Sequence, residues 1–373
     1  MNDAVSDALP ADPRALMQSI IGRIATGPDL SKDISRAEAR AGMAAILAKQ
    51  VDPVQAAIFL IALRMKRETD DENLGALDAI LAASTRVTAA VDDVVDIADP
   101  YDGYTRGLPA SPFLPAVLAA CGVPAVSHGL EAVGPKYGVT PRQVLRAAGL
   151  SVDATVEQAA ARLANPKQGW AYVDQAAFCP ALHALVELRT LIVKRPVITT
   201  VETLVGPVRG RRQTHLVTGY VHKPYPRIYA LLARAAGFDS ALIVRGVEGG
   251  VIPSLKQAGK FFFYRARGEE QAQEFNPLDI DVNHDTRAIP LPPQLTPADD
   301  SPPQAFDRAG AAHATAKLGL AALGGEPGPM RDSLVYSAAS CLWQLQRFDD
   351  MRAAAAYVRQ RLDDGSALAS FKA

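Results

Sequence analysis

From Val91 onward, the order of apolar runs, a loop and helical segments restricts this chain to a small set of architectures. The run VDDVVDIAD, from Val91 to Asp99, mixes β-branched and acidic residues, which is typical of a strand that ends in a polar loop. The loop DPYDGYTRGLPASP follows, then a helix from Phe113 to Cys121, and then a second short strand, VPAVSHG. This order predicts an α/β domain with parallel strands.

The same order recurs later in the chain. A predicted helix from Ile228 to Ala236 is followed by Gly237 and the apolar strand SALIVRG. Residues 260–290 are predicted to form short antiparallel additions to the sheet. After the proline-rich linker LPPQLTPADDSPPQ, helices are predicted from Ala305 to the end. The pattern therefore predicts a mostly parallel sheet flanked by helices.

The first ~85 residues have apolar positions at helical spacing instead. Ser35, with Glu38 three residues later, fits a helix-capping box. Pro53 stands where a first helical turn tolerates proline, and opens a predicted helix through Arg64. We therefore predict a small all-helical domain over residues 1–88.

The larger α/β domain is predicted to cover residues 89–373. Part of the segment 165–195 is a candidate to pack with the helical domain. Apolar residues make up 49% of the chain, which is enough for a substantial core. Lys plus Arg (39) nearly balances Asp plus Glu (40), so the overall charge predicts no partner, and any polyanion site must be a local patch.

The cysteines and the N-terminus indicate the compartment. Cys121, Cys179 and Cys341 are widely spaced, and none belongs to a CxxC motif, which disfavours a zinc site or a disulfide framework. Buried thiols in a reducing cytosol are the simpler interpretation. The acidic N-terminus is unlike a signal peptide, and the run from Ala56 to Leu63 is far shorter than the ~20 residues that cross a bilayer. The chain is expected to be soluble and cytoplasmic, without a membrane partner.

Four segments, in this order, resemble anthranilate phosphoribosyltransferase and the wider glycosyltransferase family 3: QAAIFLIALRMKRETDDENLGALDAI, ACGVPAVSHG, FCPALHALVELRTLIVKRPVITTVETLVGPV and GEPGPMRDSLVYSAASCLWQL. The resemblance covers nearly the whole chain. It implies the nucleoside phosphorylase and phosphoribosyltransferase type of fold, with a cleft between the two domains and a long helix that lines the acceptor site. It also implies a homodimer joined through the N-terminal helices. Function still has to be argued from the site.

The first loop, residues 99–107 (DPYDGYTRG), matches the turn with which the family cradles the diphosphate of phosphoribosyl pyrophosphate. Such turns bind phosphate through backbone N–H groups and a helix N-terminus. Here Pro100 has no N–H, and Asp102 would repel a phosphate unless a metal ion intervened. An ordinary strand-to-helix loop and an altered phosphate site are equally supported. The candidate phosphate-binding residues are Gly103, Thr105, Arg106 and Gly107.

The second loop, residues 127–140 (SHGLEAVGPKYGVT), matches the family's stretch that binds phosphate and the aromatic acceptor. His128, Gly129 and Lys136 fit that pattern. The family's Asn-Arg becomes Leu130-Glu131, so an anionic acceptor would lose a cation and meet a carboxylate, which argues against anthranilate. Lys136 is a candidate phosphate ligand, and a solvated surface lysine is the alternative.

The family holds magnesium with an Asp-Glu pair after a V-H-G-x-D-G turn, because hard cations need oxygen ligands. The matching turn, from Val244 to Gly250, lacks that pair. Glu248 is expected to be a turn or capping residue rather than a metal ligand. We predict no metal ligand and no certain cofactor, although magnesium stays possible. Without magnesium, a leaving diphosphate would lose a large electrostatic stabilisation.

The segment from Arg189 to Arg234 contains nine cations and one acid, Glu202. A solvated basic face is one interpretation. The other is a polyanion site for a phosphorylated small molecule or a nucleic-acid backbone, with Arg209 to Arg212 in an exposed loop beside the cleft. The candidate cleft residues are Arg189, Arg195, Arg209, Arg211 and Arg212.

Two functions follow from these patterns. The first is a divergent phosphoribosyltransferase-like or glycosyltransferase-like protein that binds a phosphorylated ribose-type ligand in the cleft, with an unknown acceptor. If it is an enzyme, it is a pentosyl transferase whose rate comes from positioning and from cations that stabilise the leaving phosphate. The second is a non-catalytic homodimer that binds single-stranded nucleic acid through the same basic cleft. A regulatory small-molecule binder is a third possibility.

Overall fold

The structure, a computed structural model, describes residues 9–27, 29–296 and 302–373. Part of the predicted proline-rich linker, residues 297–301, and the first eight residues lie outside these ranges. The α-helices are α1 Pro13–Ile24, α2 Arg36–Leu47, α3 Pro53–Lys66, α4 Asp70–Ala82, α5 Leu114–Ala120, α6 Pro141–Ala147, α7 Val156–Ala164, α8 Gln175–Phe178, α9 Pro180–His183, α10 Val186–Ile192, α11 Val197–Val201, α12 Tyr225–Ala235, α13 Arg308–Leu323, α14 Pro329–Gln344, α15 Met351–Asp363 and α16 Ser366–Lys372.

The strands form two sheets. A seven-stranded sheet has the order β4-β3-β2-β6-β7-β8-β9, and β1 pairs with β5 in a small parallel sheet. The first five strands of the larger sheet are parallel, and β8 and β9 extend it in antiparallel fashion. The strands are β1 Val87–Thr88, β2 Asp93–Ala98, β3 Ala125–Gly129, β4 Trp170–Asp174, β5 Val208–Arg209, β6 Gln213–Gly219, β7 Ser240–Val244, β8 Gly259–Tyr264 and β9 Gln271–Phe275.

An N-terminal helical domain and a larger α/β domain with a mostly parallel sheet flanked by helices are thus present, as the sequence predicts. Helix α2 begins with the predicted capping box, in which the Ser35 hydroxyl accepts from the Glu38 N–H while the Glu38 carboxylate accepts from the Ser35 N–H. Gly75 lets α4 approach α2 closely, since a Cβ at Gly75 would collide with the Arg36 carbonyl oxygen. These two helices bury one apolar face against each other.

Three predicted boundaries are wrong. The long helix that the resemblance implies for the segment from Phe178 is broken into α8, α9 and α10, and α10 ends at Ile192, before Val193 with a φ of 63°. The antiparallel strands stop at Phe275, because Pro277 begins a short 3-10 turn. The C-terminal helices start at Arg308 rather than Ala305, where the Asp307 side chain caps the first turn.

Helices α10 and α11 lie against the helical domain, where α10 contacts α3 and α11 contacts α4. Arg189 of α10 is almost completely buried and makes a bidentate ion pair with Glu202, with distances of 2.6 and 2.7 Å. Gln175 donates a further hydrogen bond to the Glu202 carboxylate. The sequence-based placement of Arg189 in the cleft is therefore wrong. Its charge is used inside the protein, with the one acid of its cation-rich segment.

The three cysteines carry free thiols, and Cys179 and Cys341 are buried. Burial raises the pKa of Cys341 to about 12, which keeps this thiol protonated and unreactive at neutral pH. Within the described ranges, no helix is both long enough and apolar enough to cross a membrane.

We expect Glu202→Ala to lower the free energy of unfolding by about 3–5 kcal/mol, because it leaves the Arg189 charge buried without a partner. Asp70→Ala is the matched control. It breaks another bidentate arginine pair, with Arg227, but at the surface, and should cost less than about 1 kcal/mol. Urea unfolding measures both. Equal losses in the two variants would show that burial of the pair does not matter.

Candidate functional site

A cavity of about 1130 Å³, here called the cleft, lies at the carboxyl ends of the parallel strands. Ligand sites of open α/β sheets occupy this edge, because the loops that follow parallel strands meet there. The loops after β2, β3, β6 and β7 line one part of the cleft, and residues of α3, α11 and α12 and of the segments next to these helices line another. The charged lining residues are Arg64, Glu68, Asp102, Arg106, Lys136, Arg195 and Glu248.

The Glu248 carboxylate binds the first loop. It accepts hydrogen bonds from the backbone N–H groups of Thr105, at 3.1 and 3.2 Å, and of Arg106, at 2.8 Å. The Thr105 hydroxyl adds a weaker contact at 3.4 Å. These two N–H groups, here called the first-loop amides, form a backbone anion site of the kind that also binds phosphate. In this structure the anion is a side chain of the protein itself.

Lys136 lies between two carboxylates at the base of the cleft. Its Nζ atom is 3.4 Å from Asp102 Oδ1 and 3.6 Å from Glu248 Oε2. Arg195 approaches Asp102 from the helical side, with Nη2 at 2.6 Å and Nε at 3.0 Å from Oδ2. Asp102 therefore contacts two cations instead of standing alone against a ligand. Lys136 and Arg195 both line the cleft, and both contact carboxylates of the protein.

The buried side chain of Tyr104 fills space beneath the first loop. The Tyr104 hydroxyl donates to Asp99 at 2.7 Å, and the Ser111 hydroxyl donates to the same carboxylate at 2.6 Å. Gly250 gives room for Tyr104, since a Cβ at Gly250 would overlap its hydroxyl. Burial raises the pKa of Asp99 above the ordinary aspartate value, although its hydrogen bonds favour the ionised form. The space beneath the first loop is thus filled by the hydrogen-bonded group of Tyr104, Asp99 and Ser111.

His128 belongs to this interior and not to the cleft. It is fully buried on β3, with Nε2 2.8 Å from Asp96 Oδ1 and Nδ1 2.5 Å from the Tyr101 hydroxyl. Gly129 follows it on the same strand, also buried. The predicted role of His128 as a phosphate ligand is wrong, because both nitrogens of its buried ring already have partners inside the protein.

The two predicted glycines of the first loop hold its backbone instead of lining the cleft. Gly103 has a φ of 74°, and a Cβ there would lie 2.6 Å from Val139 O of the second loop. A Cβ at Gly107 would lie 2.9 Å from Ile289 O. Of the seven candidate phosphate-binding residues, the structure brings three to the cleft: Thr105, Arg106 and Lys136.

The predicted basic loop lies at the opposite edge of the sheet. Arg209 donates to the carbonyl oxygens of Gly206, Val205 and Ala236, and burial lowers its pKa to about 10. Arg211 and Arg212 precede β6 and approach Asp92, which precedes β2. They stand at the amino ends of the parallel strands, so their predicted placement beside the cleft is wrong. The cations that cluster in sequence do not form one surface.

Several cleft residues escaped the sequence analysis. Arg64 lies in the last turn of α3, Glu68 follows that helix beyond Arg67, and Tyr225 and Tyr229 are four residues apart on α12. Helical spacing would have placed the two tyrosines on one face, but nothing in the sequence shows what that face meets. Thr199 also lines the cleft, and its buried hydroxyl has no hydrogen-bond partner among the described residues.

The cleft carboxylates do not fit a magnesium ion. Magnesium requires oxygen ligands in near-octahedral geometry. Asp102 and Glu248 share the ammonium group of Lys136, and Glu248 is also held by the first-loop amides. No cluster of three or more metal-binding side chains occurs in residues 9–27, 29–296 and 302–373.

Comparison with known proteins agrees with this architecture. Residues 18–84 match the glycosyl transferase family, helical bundle domain, and residues 109–368 match the glycosyl transferase family, α/β domain. Anthranilate phosphoribosyltransferase of Rhodopseudomonas palustris is 27% identical over 94% of this chain and 95% of its own length. The enzyme of the same name from Novosphingobium aromaticivorans is 30% identical over 84% of this chain and 88% of its own.

Solved structures show the same fold. Anthranilate phosphoribosyltransferase from Thermus thermophilus superposes with a TM-score of 0.71 at 20% identity, over 96% of this chain and 97% of that chain. The enzyme from Saccharomyces cerevisiae, in complex with phosphoribosyl pyrophosphate (PRPP) and Mg, gives 0.72 at 15% identity, over 96% of both chains. Identities this low establish the likeness of the folds alone.

We expect Asp99→Asn to change how stability depends on pH. A carboxyl group whose folded pKa is raised contributes stability at low pH that is lost as the pH rises through the interval between its unfolded and folded pKa values. The asparagine variant lacks this loss. Its free energy of unfolding, relative to the unmodified protein, should increase as the pH rises from 4 to 7 in urea titrations. A difference that stays constant over this range would show that Asp99 ionises as easily in the folded protein as in the unfolded chain.

Proposed function

This chain belongs to the glycosyl transferase family, and we propose that its cleft binds a phosphorylated ribose-type small molecule. The observation that carries the proposal is the convergence of Arg106, Lys136 and Arg195 on one cavity. They come from the first loop, the second loop and the segment before α11. Three separate parts of the chain thus place a cation at the edge of the sheet where α/β proteins bind ligands.

Arg106 is a cation that is available to a ligand, as is Arg64 on the helical side. Both are exposed, and the ion pairs among the described residues include neither of them. The cleft contains four cations and three carboxylates, so it keeps a small positive excess. A phosphate monoester could bind Arg106 and share Arg195 with Asp102 through charge-assisted hydrogen bonds. The unpaired Thr199 hydroxyl supplies a neutral partner.

The acceptor is a separate question. Glu131, which with Leu130 stands where the family has an Asn-Arg pair, binds Arg142 and Arg146 and does not line the cleft. The carboxylate therefore does not repel a ligand as the sequence predicts, but the family's cation is absent here. Tyr220 follows β6, Tyr225 and Tyr229 stand on α12, and all three line the cleft and provide ring faces for a planar group. We propose an acceptor other than anthranilate, because the cation at the second loop is missing.

If the protein catalyses a transfer, positioning by the cleft and stabilisation of the leaving phosphate by its cations would supply the rate. No step is assigned to magnesium, since the carboxylates present do not fit it. The homodimer that the family implies stays a prediction. The nucleic-acid alternative depended on a dense basic segment, and the dispersal of Arg189, Arg209, Arg211 and Arg212 removes its main support.

We expect ribose 5-phosphate to bind in isothermal titration calorimetry without added metal. Arg106→Ala and Arg195→Ala should each weaken binding by about tenfold or more, because each removes a charge-assisted contact. Arg212→Ala is the control, because it removes the same charge at the far edge of the sheet, and its affinity should be unchanged.

Two results would contradict the proposal. One is the absence of ribose 5-phosphate binding, and the other is an equal loss in all three variants. A fluorescently labelled single-stranded DNA, titrated at two salt concentrations, covers the alternative function. Tight, salt-sensitive DNA binding without affinity for the sugar phosphate would favour that function instead.

A further inference from the structure

We propose that Glu248 is a specificity-determining residue, an internal anion that occupies the first-loop amides and excludes diphosphate groups from the cleft. This proposal rests on the proposed function, because it specifies which phosphorylated ligands the cleft accepts. It assigns the Glu248 side chain a role in selecting ligands, beyond that of a residue in a turn.

The contacts of the carboxylate are those of a bound anion. Glu248 accepts from two consecutive backbone N–H groups, those of Thr105 and Arg106, and it is 3.6 Å from the Lys136 ammonium. Its side chain is only 7% exposed. Two successive amides and a lysine are a combination that proteins use to hold phosphate. A phosphate group could reach these donors only by displacing the carboxylate.

The backbone conformation of the turn directs the Glu248 side chain toward the first loop. Glu248 has a φ of 52°, a conformation that favours glycine over residues with a side chain. The turn is closed by hydrogen bonds from Val247 N to Ile252 O and from Gly250 N to Val247 O. It packs so tightly on the end of β6 that a Cβ at Gly219 would overlap the Gly250 carbonyl oxygen. A carboxylate held this way is a fixed part of the cleft wall.

Charge strengthens the exclusion. Lys136 already contacts both Asp102 and Glu248, so an incoming diphosphate would meet two carboxylates around one ammonium group. A single phosphate at the mouth of the cleft can use Arg106 and avoid them. The cleft should therefore discriminate by the number and position of phosphate groups, and favour a monophosphate over a diphosphate.

The test is to remove the carboxylate that the first-loop amides bind. Glu248→Gly removes the carboxylate, and glycine suits the positive φ at this position. We expect the affinity for inorganic pyrophosphate and for PRPP, measured by calorimetry without metal, to increase by about tenfold or more. The affinity for ribose 5-phosphate should change much less. Glu248→Gln keeps an acceptor for the amides but removes the charge, and should give an intermediate gain.

Asp281→Gly is the matched control. Asp281, like Glu248, has a positive φ, 58°. Unlike Glu248, its carboxylate is exposed, and it follows a turn after β9 outside the cleft. This variant changes the net charge and relieves the backbone in the same way, so its pyrophosphate affinity should equal that of the unmodified protein.

The outcomes separate the two proposals. Unchanged pyrophosphate affinity in the folded Glu248→Gly and Glu248→Gln proteins would overturn the role of Glu248, even if ribose 5-phosphate binds. An equal gain in Asp281→Gly would overturn it too, by showing an effect of net charge alone. A gain confined to the Glu248 variants supports it. Failure of ribose 5-phosphate to bind the unmodified protein would instead overturn the proposed function.

Discussion

Backbone N–H groups at a turn must find an acceptor, and the first-loop amides find theirs in a carboxylate from a distant part of the chain. This interaction ties the loop after β2 to the turn after β7. Through Lys136 it also reaches the second loop. Three segments that meet at the carboxyl edge of the sheet are thereby held by one side chain. That contact therefore fixes the relative positions of the loops at this edge of the cleft, with Lys136 between Glu248 and Asp102.

The interior beneath the first loop supports the same geometry. Tyr104 and Asp99 form a buried hydrogen-bonded pair. Gly250 supplies the space that the Tyr104 side chain needs, and Gly138 allows the close approach of the Tyr104 backbone. Such a filled core costs free energy through the buried carboxylate, which three hydrogen bonds offset in part. The loop is consequently supported from below by side chains and from above by Glu248.

The sequence predicts the fold well, because hydrophobic period and capping signals act locally. The capping box at Ser35 and the strands around Asp96 and Ser240 are found where their patterns place them. The cleft was predicted less well. Whether an arginine faces solvent or a buried acid depends on contacts across the fold, and Arg189 on α10 pairs with Glu202, which directly follows α11. Local pattern carries no information about such pairings.

The contrast between charge in sequence and charge in space has a consequence for ligand selection. The arginines outside the cleft that pair with carbonyls or acids of the protein contribute little attraction to a polyanion, however densely they occur along the chain. What remains at the cleft is a pair of exposed arginines without ion pairs among the described residues, Arg64 and Arg106, and a paired set of charges around Lys136. An anion is then attracted at the entrance and opposed further in. This gradient favours ligands that carry their negative charge at one end and a neutral, planar or hydroxylated group at the other.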